Sequence, residues 1–238
     1  MEQIYTIPVN EAFEEARDKK GYECPFCKLF DKLEKKEVEL ALGPSMMEPN
    51  TRIQTNEKGF CKDHFQQMLE KNNRLSLALI LESHIDTIKG KMKGNFLTNL
   101  TGTQTQKSIK AVNSLGKSCY ICERIEYNFS RMLETAVLLY GYDPEFKVKL
   151  KGQKCFCLPH YERFMTLAKA KLDKKKQGEL SKDISEIQNA YLEKLKNDVS
   201  WFCKKFDYRY DNEPWYDSKD SVERAIRFLS SGVDKEKK

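Results

Sequence analysis

The tetrapeptide Cys24-Pro25-Phe26-Cys27 returns as Cys119-Tyr120-Ile121-Cys122, and Cys61-Lys62-Asp63-His64 returns as Cys157-Leu158-Pro159-His160. The first pair of motifs is offset by 95 residues and the second by 96, in the same order along the chain. Such register identifies a tandem duplication, in which one unit with one job appears twice. Each copy carries three cysteines and one histidine at metal-ligand spacing, so each half is expected to be built around its own Cys3His site. Those sites would be Cys24, Cys27, Cys61 and His64 in the first half, and Cys119, Cys122, Cys157 and His160 in the second.

Working outward, the flanks of all four motifs carry helical periodicity. Leu29, Phe30, Leu33 and Leu40 form a stripe after Cys27, closed by Gly43; Ile125, Phe129, Met132, Leu133 and Leu139 repeat it after Cys122, closed by Gly141 and Pro144. A helix opens at Phe65, Met68 and Leu69 and is expected to run on through Leu77, Leu81, His84 and Ile88. Its counterpart carries Tyr161, Phe164, Met165 and Ala168. Gly178 reads as punctuation, with Ser181 capping a further helix that turns Ile184, Ile187, Tyr191, Leu195, Val199 and Phe202 inward, and Ser218 capping a last short one. Short helices are expected over Val9–Lys20 and Ser108–Leu115. Strand signals are confined to 51–55 and 146–150, equivalent places that could form a small β ribbon. The expected architecture is mainly α, as two zinc-binding helical repeats. The first covers 1–90, a linker 91–107, and the second 108–238 with a C-terminal helical extension.

Composition bounds the function. A chain of 238 residues with 39% apolar and 11% aromatic side chains can bury a substantial core. The net charge of +6 is uneven, +1 over residues 1–110 and +5 over 111–238, too small to argue for nucleic acid unaided. No basic segment followed by an apolar run opens the chain and no stretch reaches membrane-spanning length, so a cytoplasmic location without a membrane is expected. Eight cysteines in a reducing compartment argue for metal or thiol chemistry over a disulfide framework.

Three thiolates and an imidazole favour Zn²⁺ in a closed tetrahedron, two ions per chain. Residues i and i+3 at a helix start share a face, so one ion meets both side chains of each Cys-x-x-His, and the helix N-terminus favours the thiolate form of Cys61 and Cys157. A Cys-x-x-Cys turn combined with a ligand pair at a helix start is the arrangement of treble-clef-like zinc sites, here with a whole helix inserted between the pairs. Buried free cysteines, an iron–sulfur cluster or a thioredoxin-like dithiol at Cys24 and Cys27 are the competing readings. The last lacks a βαβ context, and neither Cys-x-x-Cys is followed by the histidine that haem attachment uses. Cys155 aligns with Gly59 and so stands outside the repeated ligand set; Cys203 reads as a core thiol, and His84, on an apolar stripe, as a hydrogen-bonded core histidine.

Thr55-Asn56-Glu57-Lys58-Gly59-Phe60-Cys61-Lys62-Asp63-His64, Cys24-Pro25-Phe26-Cys27, and Trp201-Phe202-Cys203-Lys204-Lys205-Phe206-Asp207-Tyr208-Arg209 carry a resemblance, with Pro214-Trp215, Lys219-Asp220-Ser221 and Arg224-Ala225 adding to it. The chain resembles, over nearly its whole length, an uncharacterised bacterial family with paired CPxC and GFCxxH motifs, a domain of unknown function. Its members are sometimes labelled substrate-binding proteins of ABC transporters. The resemblance implies zinc binding and no defined activity; the transporter label would require an export signal and α/β lobes that the sequence does not suggest.

No acid–base dyad, serine triad, phosphate loop or dinucleotide fingerprint is present in the sequence. The expectation is a zinc-stabilised binding or adaptor protein without catalysis, partnered by another protein and of open oligomeric state. A nucleic-acid binder using Lys147, Lys149, Lys151, Lys154 and 169–176, a thiolate redox switch, and an enzyme or solute binder with a pocket between the halves are the alternatives. The aromatic segment Trp201–Trp215 is expected to dock on the second half, or else to form a groove rimmed by Asp207 and Arg209.

Overall fold

A computed structural model describes residues 5–18, 24–92, 106, 109–110, 113 and 117–231. Among them are ten α-helices and no strand. They are α1 (Thr6–Asp18), α2 (Pro25–Leu42), α3 (Pro49–Lys58), α4 (Lys62–Glu70), α5 (Arg74–Met92), α6 (Tyr120–Tyr142), α7 (Pro144–Lys151), α8 (Leu158–Lys171), α9 (Lys174–Lys204) and α10 (Ser221–Ser230). The order long helix, short helix, Cys-x-x-His helix, long helix occurs as α2–α5 and again as α6–α9. The linker 91–107 and the short helix expected over Ser108–Leu115 lie almost wholly outside the described residues.

Three expectations are corrected. Residues 51–55 and 146–150 are helical, inside α3 and α7, each of which starts at a proline in the first turn. Asp143 caps α7 by accepting the Glu145 and Phe146 N–H groups. Alternating apolar residues over five positions do not outweigh such start signals. The helix after Cys61 is two helices: Asn72 adopts a left-handed φ of 56°, and Asn73 Oδ1 then accepts the Ser76 N–H at 3.3 Å to start α5. Conversely α9 runs unbroken for 31 residues from an Asp173 cap, through Gly178 and Ser181. Burial of Leu180, Ile184, Gln188, Tyr191 and Leu195 along one face outweighs the roughly 1 kcal/mol that one interior glycine costs.

The chain divides into two compact units, Met1–Asp31 with Phe129–Lys238, and Lys32–Asn128, so the division falls inside α2 and α6. The first has a phenylalanine core. Phe13 meets Phe26 at 5.4 Å and Phe146 at 4.8 Å between ring centroids, and Phe26 meets Phe164 at 5.0 Å. In the second, buried Glu37 of α2 accepts hydrogen bonds from Arg124 Nε at 2.5 Å and Asn128 Nδ2 at 3.1 Å, both on α6. His84 is buried there with its Nδ1 donating to the Asn56 carbonyl at 3.0 Å, as a core histidine should.

After α9 the chain folds back on it. Trp201 Nε1 donates to the Pro214 carbonyl, and buried Lys205 donates to the carbonyls of Tyr210, Asp211 and Glu213. Phe202 packs against Trp215 at 5.8 Å. The segment is docked, but not through all its aromatics: Phe206 is 75% exposed and Tyr208 83%. Cys203 is also exposed, not a core thiol.

Candidate metal centres

All four motifs occupy the same local structure. In each, the first cysteine lies just before a helix and its carbonyl accepts the first helical hydrogen bond: Cys24 from Lys28, Cys61 from Phe65, Cys119 from Glu123 and Cys157 from Tyr161. The second ligand then sits three residues later in the first turn. These are the positions that a capping box uses, where two side chains converge on the exposed N–H groups of the helix start. The Cys119 sulfur does accept the Cys122 N–H, at 3.5 Å. Neither Cys-x-x-Cys is a free turn; both open helices, α2 and α6.

The eight ligands named from sequence come together in two groups of four, but the pairs cross between copies. Cys24 and Cys27 meet Cys157 and His160, while Cys61 and His64 meet Cys119 and Cys122; within each group the ligand atoms lie within 4.8 Å of one another. The within-copy pairing is therefore corrected. The long helices keep the pairs of one copy apart. His64 lies 3.6 Å from Glu34, midway along the 18-residue α2, and His160 lies 5.1 Å from Phe129 between ring centroids, midway along the 23-residue α6, so each Cys-x-x-His packs well along its own long helix from the Cys-x-x-Cys at its start. Each compact unit consequently owns one complete group.

In the first group Cys27 Sγ is 3.5 Å from Cys157 Sγ, and His160 Nδ1 is 3.1, 3.5 and 3.8 Å from the sulfurs of Cys157, Cys27 and Cys24. In the second, Cys61 and Cys122 sulfurs are 3.8 Å apart, and His64 Nδ1 is 3.2, 3.3 and 3.4 Å from Cys61, Cys119 and Cys122. Both histidines thus present Nδ1. The other nitrogen of His64 is buried without a hydrogen bond, 3.6 Å from a Glu34 carboxylate oxygen, the place of the outer carboxylate that orients a metal-bound imidazole.

Metal-free, each group holds thiols that oppose one another's ionisation. Burial pushes the Cys119 thiol up, but His64 and the Cys122 and Cys61 backbone bring it down to about 6. Cys122 is then raised by burial and by the neighbouring Cys119 and Cys61. Burial likewise opposes ionisation of Cys24, which Cys157, Cys27 and His160 nevertheless hold well below the usual thiol range, while Cys27 is pushed up by Cys157 and Cys24. Burial lowers His64, yet Cys119 and Glu34 raise it to about 10. The Cys119 thiolate opposes ionisation of Cys122, and that of Cys24 opposes ionisation of Cys27 and Cys157; a cation at the centre would remove that repulsion.

The family of unknown function DUF6062 matches residues 1–236. The chain belongs to that family. No match was found among curated proteins or among solved structures.

Sequence reasoning missed the supports of the ligand segments. Gln188, buried on α9, accepts the Phe156 N–H at 2.9 Å and donates to the Phe156 carbonyl at 2.7 Å, clamping the residue before Cys157 from both sides. The equivalent Gly59–Phe60 corner is held differently, by Tyr120 N–H to the Gly59 carbonyl at 2.9 Å and Ser118 to the Lys58 carbonyl at 2.7 Å. Pro25, at the place of Tyr120, has no N–H to offer. A polar residue on the inward stripe of α9 was the available signal for Gln188. Cys155 is buried beside Cys157 but outside the group.

Proposed function

We propose that each group holds one Zn²⁺ with four protein ligands, and that the chain is a zinc-stabilised cytosolic binding or adaptor protein with no chemistry of its own. The observation that carries the zinc reading is the geometry of the donors. Zinc–sulfur bonds of about 2.3 Å and zinc–nitrogen bonds of about 2.0–2.1 Å give tetrahedral edges of about 3.8 Å between sulfurs and 3.6 Å between sulfur and nitrogen. The separations of 3.5 and 3.8 Å between sulfurs, and 3.1 to 3.8 Å to Nδ1, bracket those edges. Three thiolates leave the occupied site with one net negative charge, which two helix N-termini per group favour. Four ligands leave no place for water or substrate, the mark of a structural site. The bound ion would supply cross-linking between helix starts and folding free energy.

A protein partner is favoured over nucleic acid because four of the lysines nominated for phosphate contact are ion-paired within the chain. Lys147 pairs with Glu179, Lys149 with Glu14, Lys151 with Asp183 and Lys171 with Glu134. No described helix is long and apolar enough to cross a membrane. Metal analysis of protein purified without chelator should give two zinc ions per chain, with cooperative folding lost in strong chelator; a metal-free chain that keeps its fold would end this reading. Affinity purification from the native cell should recover a defined protein that survives nuclease, and a steeply salt-dependent, nuclease-sensitive recovery would transfer the function to nucleic acid.

A further inference from the structure

The two groups are alike in ligands and unlike in surroundings. In the first, Cys24, Cys157 and His160 are 4%, 1% and 6% exposed and Cys27 is half-buried; in the second, His64 and Cys119 are buried as well, and the difference lies in the exposed Cys122. Phe26 and Phe129 flank His160, with ring centroids at 6.2 and 5.1 Å, and the Ser231 carbonyl at the end of α10 reaches within 3.7 Å of the Cys27 sulfur. In the second, a cavity of 340 Å³ opens directly onto Cys61, Cys119 and Cys122, with Lys117, Glu123 and Glu126 among its other walls. Cys122 is exposed and Cys61 half-buried, and their sulfurs lie 3.8 Å apart. Lys58, 2.5 Å from Glu123, offsets one of the two carboxylates there.

We propose that Cys122 and Cys61 are a peroxide-oxidisable pair, so that the second group discharges its metal while the first keeps its own. This rests on the zinc reading above and goes beyond it, because it gives the two sites different fates. A hydroperoxide in the cavity meets the Cys122 thiolate first. The sulfur forms a bond to the terminal peroxide oxygen, the O–O bond breaks, and the leaving alkoxide or hydroxide takes a proton from water. The Cys61 thiolate then attacks the sulfenic sulfur; the S–S bond forms and hydroxide leaves. Two thiolates lose two electrons, the hydroperoxide gains them, and a zinc ion reduced to Cys119 and His64 dissociates. The disulfide joins the starts of α4 and α6, the same helix ends the metal had joined, and a thiol reductant with free zinc reverses the change.

The test uses the full chain loaded with two zinc ions, without oxygen, treated with a small excess of hydrogen peroxide beside a chromophoric zinc indicator. A parallel sample carries Cys203→Ser, which removes the exposed thiol outside both groups. One zinc per chain should appear at least about tenfold faster than the other in both samples. Peptide mapping should find a Cys61–Cys122 bridge with Cys24, Cys27 and Cys157 unmodified. Both ions released at one rate, the first group emptied first, a Cys119–Cys122 bridge, or oxidation limited to Cys203 with both ions retained would each overturn the proposal. If acid releases no zinc from the purified protein, the zinc reading fails and takes this one with it; zinc released by acid but not by peroxide overturns this one alone.

Discussion

Gln188 shows how a single side chain can hold a candidate metal ligand in place from outside its group. Its amide satisfies both backbone groups of Phe156, one residue before Cys157, in a buried setting. Replacing it by alanine leaves a buried N–H and carbonyl unpaired, at about 1–3 kcal/mol for each group left so. Gln188→Ala should lower stability in urea by about 2 kcal/mol or more, and the first group should lose zinc to a chelator sooner than in the parent chain. A change below about 0.5 kcal/mol would show that Phe156 finds other partners. Gly59 is the opposite kind of residue, needed for its backbone. It ends α3 with φ 62° and ψ −156°, a region L side chains rarely enter, so Gly59→Ala should cost about 1–3 kcal/mol by thermal melting. Its counterpart Cys155 carries a side chain, so the two copies close this corner by different means.

At the scale of elements, α9 is the test of how far burial overrides local signals. Gly178 lies inside it, and a Cβ there would meet nothing within 4 Å. Gly178→Ala should therefore stabilise the protein by up to about 1 kcal/mol, read as a rise in melting temperature with both zinc ions retained. No rise would mean that the start of α9 is already frayed in the native state. The C-terminal elements make the complementary case. Arg224, 8% exposed, pairs with Asp198 of α9 at 2.9 Å, and Phe228 packs against Tyr191 in a tilted arrangement with ring centroids 5.2 Å apart. Truncation after Ser200 removes both contacts and the Ser231 carbonyl beside Cys27. It should lower the melting temperature and speed zinc loss from the first group; unchanged melting would assign the segment to a partner instead.

For the whole molecule, the crossed pairing makes a strong demand. The segments 1–90 and 108–238 follow the sequence repeat, yet each carries two halves of two different groups. Expressed separately, neither should form a four-ligand site; mixed in the presence of zinc, they should together take up two ions per pair and gain helix by circular dichroism. A fragment that alone binds one zinc through all four of its ligands, with a cooperative melt, would restore the within-copy pairing. The exchange matches the compact units, which do not follow chain order: each unit gathers the segments that carry one complete Cys3His group.

The sequence by itself determined the eight candidate ligands, the helices that flank them and the mainly helical class. These follow from chemistry within a few residues: thiol and imidazole at i and i+3, and a 3.6-residue apolar period. The short helices α3 and α7 hid because five alternating residues look the same in either conformation until a cap is counted. The partner of each Cys-x-x-Cys was invisible for a deeper reason. In a tandem duplication the two Cys-x-x-His motifs are locally equivalent, so spacing fits both pairings equally well. Only tertiary structure distinguishes them, because each Cys-x-x-His packs beside the middle of its own long helix, away from the Cys-x-x-Cys at that helix's start. The same holds for exposure. Identical donor sets gave no hint that one group would be flanked by phenylalanines and a C-terminal carbonyl while the other exposes Cys122 to a cavity. Accessibility is a property of what packs around a ligand, and the residues that do so here come from distant parts of the chain.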